Sequence, residues 1–144
     1  MPTLTDQTHQ ILVYSDNVNT RTAITGALGR RPSAAGSLVS TIEVATEPAL
    51  MAALDTSTAQ VRSGKPGIAL VILDGEATPA GGMGIARAIK DEIFNAPKIL
   101  LVIGRPSDAW LASWSRADAV VGHPIDPFEL AAAAARLLGQ DEAN

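Results

Sequence analysis

Residues 67–84 read GIALVILDGEATPAGGMG, and this stretch decides the fold. Ile68 to Leu73 are six apolar residues in a row with no polar alternation, the pattern of a strand covered on both faces of a parallel sheet. Such a strand lies in the middle of its sheet. It stops at a single carboxylate, Asp74, followed by a glycine- and proline-rich loop and the amphipathic run Ile85 to Ile93. In open α/β sheets ligands bind at the carboxyl ends of the strands, so an acid placed there is a candidate for chemistry. The plain alternative is an acid that starts a loop or caps a helix.

The chain has 144 residues, enough for one domain that buries a core without metal or disulfide help. We expect a single domain over 11–139, with flexible ends at 1–10 and 140–144. The net charge of -4, with no basic run, argues against nucleic acid, whose binding rests on clustered Lys and Arg facing phosphates. The absence of cysteine excludes a disulfide framework and fits a reducing compartment. No apolar run approaches the roughly 18 residues needed to span a bilayer, and MPTLTDQTHQ lacks the charged and apolar regions of a signal peptide. The expectation is a soluble cytoplasmic protein with no membrane insertion.

Working outward from the central run, Ile11 to Tyr14 is a short apolar strand ending at Ser15-Asp16, and Asn17 or Asn19 can cap a helix from about Thr20 to Leu28. Gly29 to Ser37 reads as a surface loop. Leu38 to Ala45, rich in β-branched residues, predicts an outer parallel strand, and Glu47-Pro48 opens a second helix to about Leu54. Ser57 to Pro66 is polar and is expected to be mobile. Lys98 to Ile103 holds a second unbroken apolar run, Ile99 to Ile103, and hence is another interior strand. Ser107 or Asp108 then caps a helix carrying Trp110, Leu111 and Trp114, Ala119 to Val121 makes a fifth strand, and Pro127 to Leu138 a last helix. Strands alternating with helices in this way predict a doubly wound α/β sandwich, a parallel sheet with helices on both faces.

The polar residues at strand carboxyl ends are Ser15 and Asp16 after the first, Asp74 after the third and His123 after the fifth. With these in place, the chain from about Ile11 to Leu138 resembles the receiver domain of two-component response regulators. The resemblance implies a five-stranded sheet of order 2-1-3-4-5. It also implies that two acids after the first strand and one after the third bind Mg²⁺, and that the last of them is phosphorylated by a histidine kinase. A Ser or Thr after the fourth strand and a Lys before a cis-proline after the fifth would contact the phosphoryl group. The physical logic is a divalent ion neutralising a phosphoryl oxygen while a cation opposite compensates the developing charge.

On this chain the phosphoacceptor position falls on Asp74 and the second metal acid on Asp16, with Pro124 at the cis-proline position. Four positions depart from the pattern. Ser15 replaces the first acid, Ile103 the Ser or Thr, His123 the Lys, and Val120 a frequent switching Tyr or Phe. The loop to Pro79 is a residue longer than usual, and Met83-Gly84 replaces the common Asp-Gly. Ser15 removes a negative charge and should weaken Mg²⁺, since affinity follows the charged oxygens supplied. Glu76 either lends a carboxylate or is a solvated loop acid. Ile103 cannot donate a hydrogen bond. His123, with an ordinary pKa of about 6.5, is mostly neutral at pH 7. It either gains charge beside Asp74 and Asp16 or simply caps the sheet end. His9 has no visible partner.

Trp110 and Trp114, four apart on a helix, share a face. They either pack into the core or anchor a protein interface, which aromatics favour; Trp110, nearer the helix start, is expected to tuck against the sheet. Arg105 and Arg116 flank them as rim contacts. Three functions are weighed. A small flavodoxin-like enzyme or nucleotide binder lacks support, because no GxGxxG, P-loop lysine or paired nucleophile and base is present. A phosphorylatable stand-alone response regulator with acceptor Asp74 retains one acceptor and one metal acid. A degenerate, non-enzymatic receiver acting as a protein-binding module, needing no cofactor beyond a weak Mg²⁺ interaction, accounts for the altered contacts and is the reading chosen. DGEATPAGGMGIA and RPSDAWLASWSRA also resemble stand-alone actinobacterial receiver-like proteins, some associated with respiratory complex I, which implies a partner reached from the cytoplasmic side.

Overall fold

The computed structural model describes residues 8–34, 36–78, 81–105 and 109–139. Five strands and five helices alternate: β1 Thr8–Tyr14, α1 Val18–Leu28, β2 Leu38–Val44, α2 Glu47–Arg62, β3 Ile68–Asp74, α3 Gly82–Glu92, β4 Lys98–Ile103, α4 Ala109–Trp114, β5 Ala119–Gly122 and α5 Pro127–Leu137. All strand pairs are parallel, in the order β2-β1-β3-β4-β5, so β3 is central. The unbroken apolar run of β3 has the expected cause. Leu70 and Ile72 face one core with Ile24 and Leu28 of α1 and Leu130 of α5. Val71 and Leu73 face the other with Leu50 and Leu54 of α2 and Ile85 and Ile89 of α3. A strand sandwiched by helices has no solvent face on which to place polar residues.

Two boundaries differ most from the sequence reading. β1 starts at Thr8 rather than Ile11, because Thr8, His9 and Gln10 pair with Leu38, Val39 and Ser40 of the edge strand. Backbone pairing holds them, and it leaves no hydrophobic signature. α2, expected to end near Leu54, runs on to Arg62, so 57–62 is helix rather than mobile chain. The reason is Ser57, a buried residue whose hydroxyl oxygen accepts the Ile68 N–H at 2.7 Å. A polar residue here serves the inner face and ties the helix to the start of β3. α4 ends at Trp114, and two residues further on Arg116 takes a positive φ of 66°.

The expected caps Ser107 and Asp108, Pro79 of the loop, and the chain ends 1–7 and 140–144 lie outside the described residues. At α1 the cap is Asn17, whose side-chain oxygen accepts the N–H of Asn19 and of Thr20 at 2.8 and 3.4 Å. Such a cap is worth about 1 kcal/mol. Among the described residues no helix is long and apolar enough to cross a membrane.

Candidate functional site

Parallel strands put all their carboxyl ends on one edge, so β1, β3 and β5 deliver Ser15-Asp16, Asp74 and His123 to the same place. Asp16, Asn17, Thr20, Asp74, Glu76, Gly104 and His123 line a cavity of about 450 Å³ there. Asp74 is only 3% exposed, at its floor. Both of its oxygens are engaged. Ser15 Oγ, fully buried, donates to Asp74 Oδ2 at 2.7 Å and itself accepts the Asn17 N–H at 3.0 Å. The Glu76 N–H donates to Asp74 Oδ1 at 2.8 Å, and His123 Nε2 lies 3.4 Å from that same oxygen.

The exposed acids stand at the mouth. Asp16 Oδ2 accepts the Thr78 hydroxyl at 3.0 Å, which ties the loop after β3 back to the end of β1. Glu76 is exposed, and its side chain lies over Gly104, where an added Cβ would come within 2.6 Å of Glu76 Cδ. Glycine just after β4 leaves room for this carboxylate at the mouth. Ile103 is buried and turned into the core with α2 and α3, and only its carbonyl serves this edge, accepting the His123 N–H at 2.9 Å. The His123-Pro124 peptide bond is cis. Tyr14, buried one residue before Ser15, has its phenol pKa raised above the ordinary 10.0 by burial first and then by Asp16, Glu47 and Asp74.

The Mg²⁺ ion that this kind of site implies finds a poor donor set here. Among the described residues no three His, Cys, Asp or Glu side chains converge closely enough to hold an ion. Ser15 occupies one oxygen of Asp74 and Thr78 one oxygen of Asp16. As arranged, the residues do not present a ligand set for Mg²⁺, which asks for near-octahedral oxygen geometry. The Ser15 hydroxyl and the Glu76 N–H engage the two oxygens of Asp74 instead.

The α4 residues fall elsewhere. Trp110 is 69% exposed and Trp114 47%. Trp110 is thus not tucked against the sheet, contrary to the sequence expectation, and it is the more open of the two. Trp114 is held by its neighbours: the Arg87 guanidinium of α3 sits 5.3 Å from its ring centroid and donates to its carbonyl oxygen at 2.9 Å. Asp91 accepts from Arg87 at 3.0 Å and from Arg116 at 2.6 Å, and those two hydrogen bonds, that from Arg116 foremost, hold its carboxyl below the usual range. Arg116 is therefore part of a link between α3 and the end of α4. Arg105 is exposed at the end of β4. Val120 is partly exposed on β5.

A parallel 2-1-3-4-5 sheet carrying an acid at the end of its central strand, facing residues from the first and fifth strands, defines a receiver-type α/β module. No family model matches the chain. Two curated relatives from Mycobacterium tuberculosis, strains CDC 1551 and H37Rv, each described as an uncharacterized response regulatory protein, are 51% identical over 121 residues. The match covers 84% of this chain and 84% of each relative. The chain belongs to the response regulator family, as a receiver domain. A response regulator from Thermotoga maritima superposes with a TM-score of 0.70 at 16% identity, covering 92% of this chain and 99% of that one. The signal receiver domain of a response regulator described as NarL, from M. tuberculosis, gives 0.67 at 19% identity, covering 92% and 98%. The longer T. maritima regulator DrrB, an OmpR/PhoB homolog, gives 0.62 at 18% identity, and the match spans 94% of this chain but 54% of DrrB. At these identities the structural likeness speaks for the fold.

Proposed function

We propose that this receiver works as a non-enzymatic protein-binding module whose Asp74 site depends little on phosphorylation and binds Mg²⁺ weakly. The observation that carries the reading is the 2.7 Å hydrogen bond from Ser15 to Asp74. A neutral hydroxyl stands where a metal acid would be and ties up one oxygen of the phosphoacceptor candidate. His123 and the buried Ile103 supply neither a fixed cation nor a hydroxyl donor. Incubation with a small phosphodonor and Mg²⁺ should label only a minor fraction of the chain by intact mass, and Asp74→Asn should remove that label. Near-complete labelling at neutral pH would overturn the proposal in favour of an ordinary phosphorylatable regulator served by a histidine kinase.

A module of this kind acts through a surface, and in receivers the α4-β5-α5 face is the usual one. Trp110 and Trp114 support that choice here, the second pre-organised by Arg87, because a ring already fixed loses less entropy on binding. Capture from a native lysate should recover the same partner with the wild type and with Asp74→Asn, and lose it with Trp110→Ala or Trp114→Ala. An aromatic anchor is worth about 2 kcal/mol or more, roughly thirtyfold in affinity. Recovery that required Asp74 and ignored both tryptophans would sink the reading. The resemblance of the two stretches around α3 and α4 to complex I-associated receiver-like proteins makes a respiratory complex, met from the cytoplasmic side, the partner to look for first.

A further inference from the structure

The sheet edge opposite Asp74 carries a second cavity, of about 480 Å³, between α2 and the turn joining α3 to β4. Its floor is Leu54, Ser57 and Ile68, all buried. Phe94 stands on the rim and is 90% exposed, so the aromatic ring beside the cavity leaves it unfilled. Two opposite charges flank the mouth, Arg62 in the last turn of α2 and Glu92 at the end of α3. Neither has an ion-pair partner among the described residues.

We propose that this surface is an interface between two copies of the chain, in which Phe94 of each copy enters the other's cavity and each Arg62 faces Glu92 of the second copy. The charge pattern favours a second copy over any other occupant. One patch holds a projecting ring, a hole, a cation and an anion, and a two-fold axis sets each of them opposite its complement, as an isologous interface requires. A small apolar ligand would leave Phe94 and both charges in water, and a partner of one sign would satisfy one charge and repel the other. None of these residues belongs to the Asp74 site or to α4, so a dimer built here keeps both available on each copy and presents them in pairs. Paired presentation raises avidity toward a partner with two matching sites.

Sedimentation equilibrium of the intact chain tests this. The wild type should show a reversible monomer–dimer equilibrium. Phe94→Ser should raise the dissociation constant about a thousandfold, because the pair loses two aromatic anchors of about thirtyfold each. Since Phe94 is exposed in the monomer, its thermal unfolding at low concentration should not change. Arg62→Glu sets like charges against each other twice and should abolish the dimer, while Arg62→Glu combined with Glu92→Arg restores it. A chain monomeric at millimolar concentration, a dimer indifferent to Phe94→Ser, or a double variant as dissociated as the single one would each overturn the interface.

Discussion

Ser15→Asp is expected to make the chain markedly unstable without Mg²⁺ and to turn Mg²⁺ into its main stabiliser. In the wild type the Ser15 hydroxyl donates to Asp74 at 2.7 Å, in a place where Ser15 is fully buried and Asp74 nearly so. An aspartate there sets two carboxylates within hydrogen-bond reach of each other. Two unit charges about 4 Å apart interact by about 4 kcal/mol at an effective dielectric constant near 20. Part of that is relieved when one carboxyl takes up a proton, and a net loss of about 2–3 kcal/mol is expected. For a domain of this size the thermal midpoint falls by roughly 10 °C.

A divalent ion reverses the sign, because the same two acids with Asp16 become its ligands. Mg²⁺ at about a hundred times its dissociation constant returns about 2.7 kcal/mol. The wild type, with Ser15 already satisfying Asp74, should shift by no more than a degree or two under the same millimolar Mg²⁺. Differential scanning calorimetry of both proteins with and without the ion gives the comparison. Equal stabilisation of the two would mean that Ser15 is no obstacle to the metal, and the reading of a hydrogen-bonded, metal-independent Asp74 would fall with it.

The second large effect concerns how α3 meets the central strand. Gly82 opens that helix and is buried, and an added Cβ would lie 2.7 Å from the carbonyl oxygen of Asp74, 2.9 Å from its carbonyl carbon and 3.0 Å from Leu73 Cβ. The obstacle is strand backbone, which cannot swing aside as a long side chain can. Gly82→Ala therefore has to push α3 off the end of β3, at a cost of about 3 kcal/mol, the upper end for overpacking. Gly84 sits two residues further along the same helix, and a Cβ added there would meet nothing within 4 Å. Gly84→Ala should stabilise by up to about 1 kcal/mol through helix propensity. Urea unfolding with an unchanged slope should move the two variants in opposite directions, several kilocalories apart. Were Gly82→Ala as benign as Gly84→Ala, the close approach of α3 to the phosphoacceptor candidate would not exist in solution.

The sequence by itself determined the sandwich, because an interior parallel strand has no solvent face and must be written as a continuous apolar run. Leu70 to Leu73 and Ile99 to Ile103 each alternate residue by residue between the two cores. Strand ends were legible for the same reason, since the run stops where the backbone leaves the sandwich, and Asp16, Asp74 and His123 followed from that. Tertiary structure decided whatever rests on a hydrogen bond between distant residues. Thr8 to Gln10 join the sheet through backbone pairing, and Ser57 holds α2 to β3 through one N–H, neither of which a hydropathy pattern records. At the site, Ser15 reads in sequence as a missing charge. Only the 59-residue closure that brings β1 beside β3 shows it to be the donor that satisfies Asp74. The Thr78 hydroxyl on Asp16 is a contact of the same kind. Trp110 was misplaced because spacing on a helix gives the shared face but not which way that face turns, and the short α4 turns both rings outward.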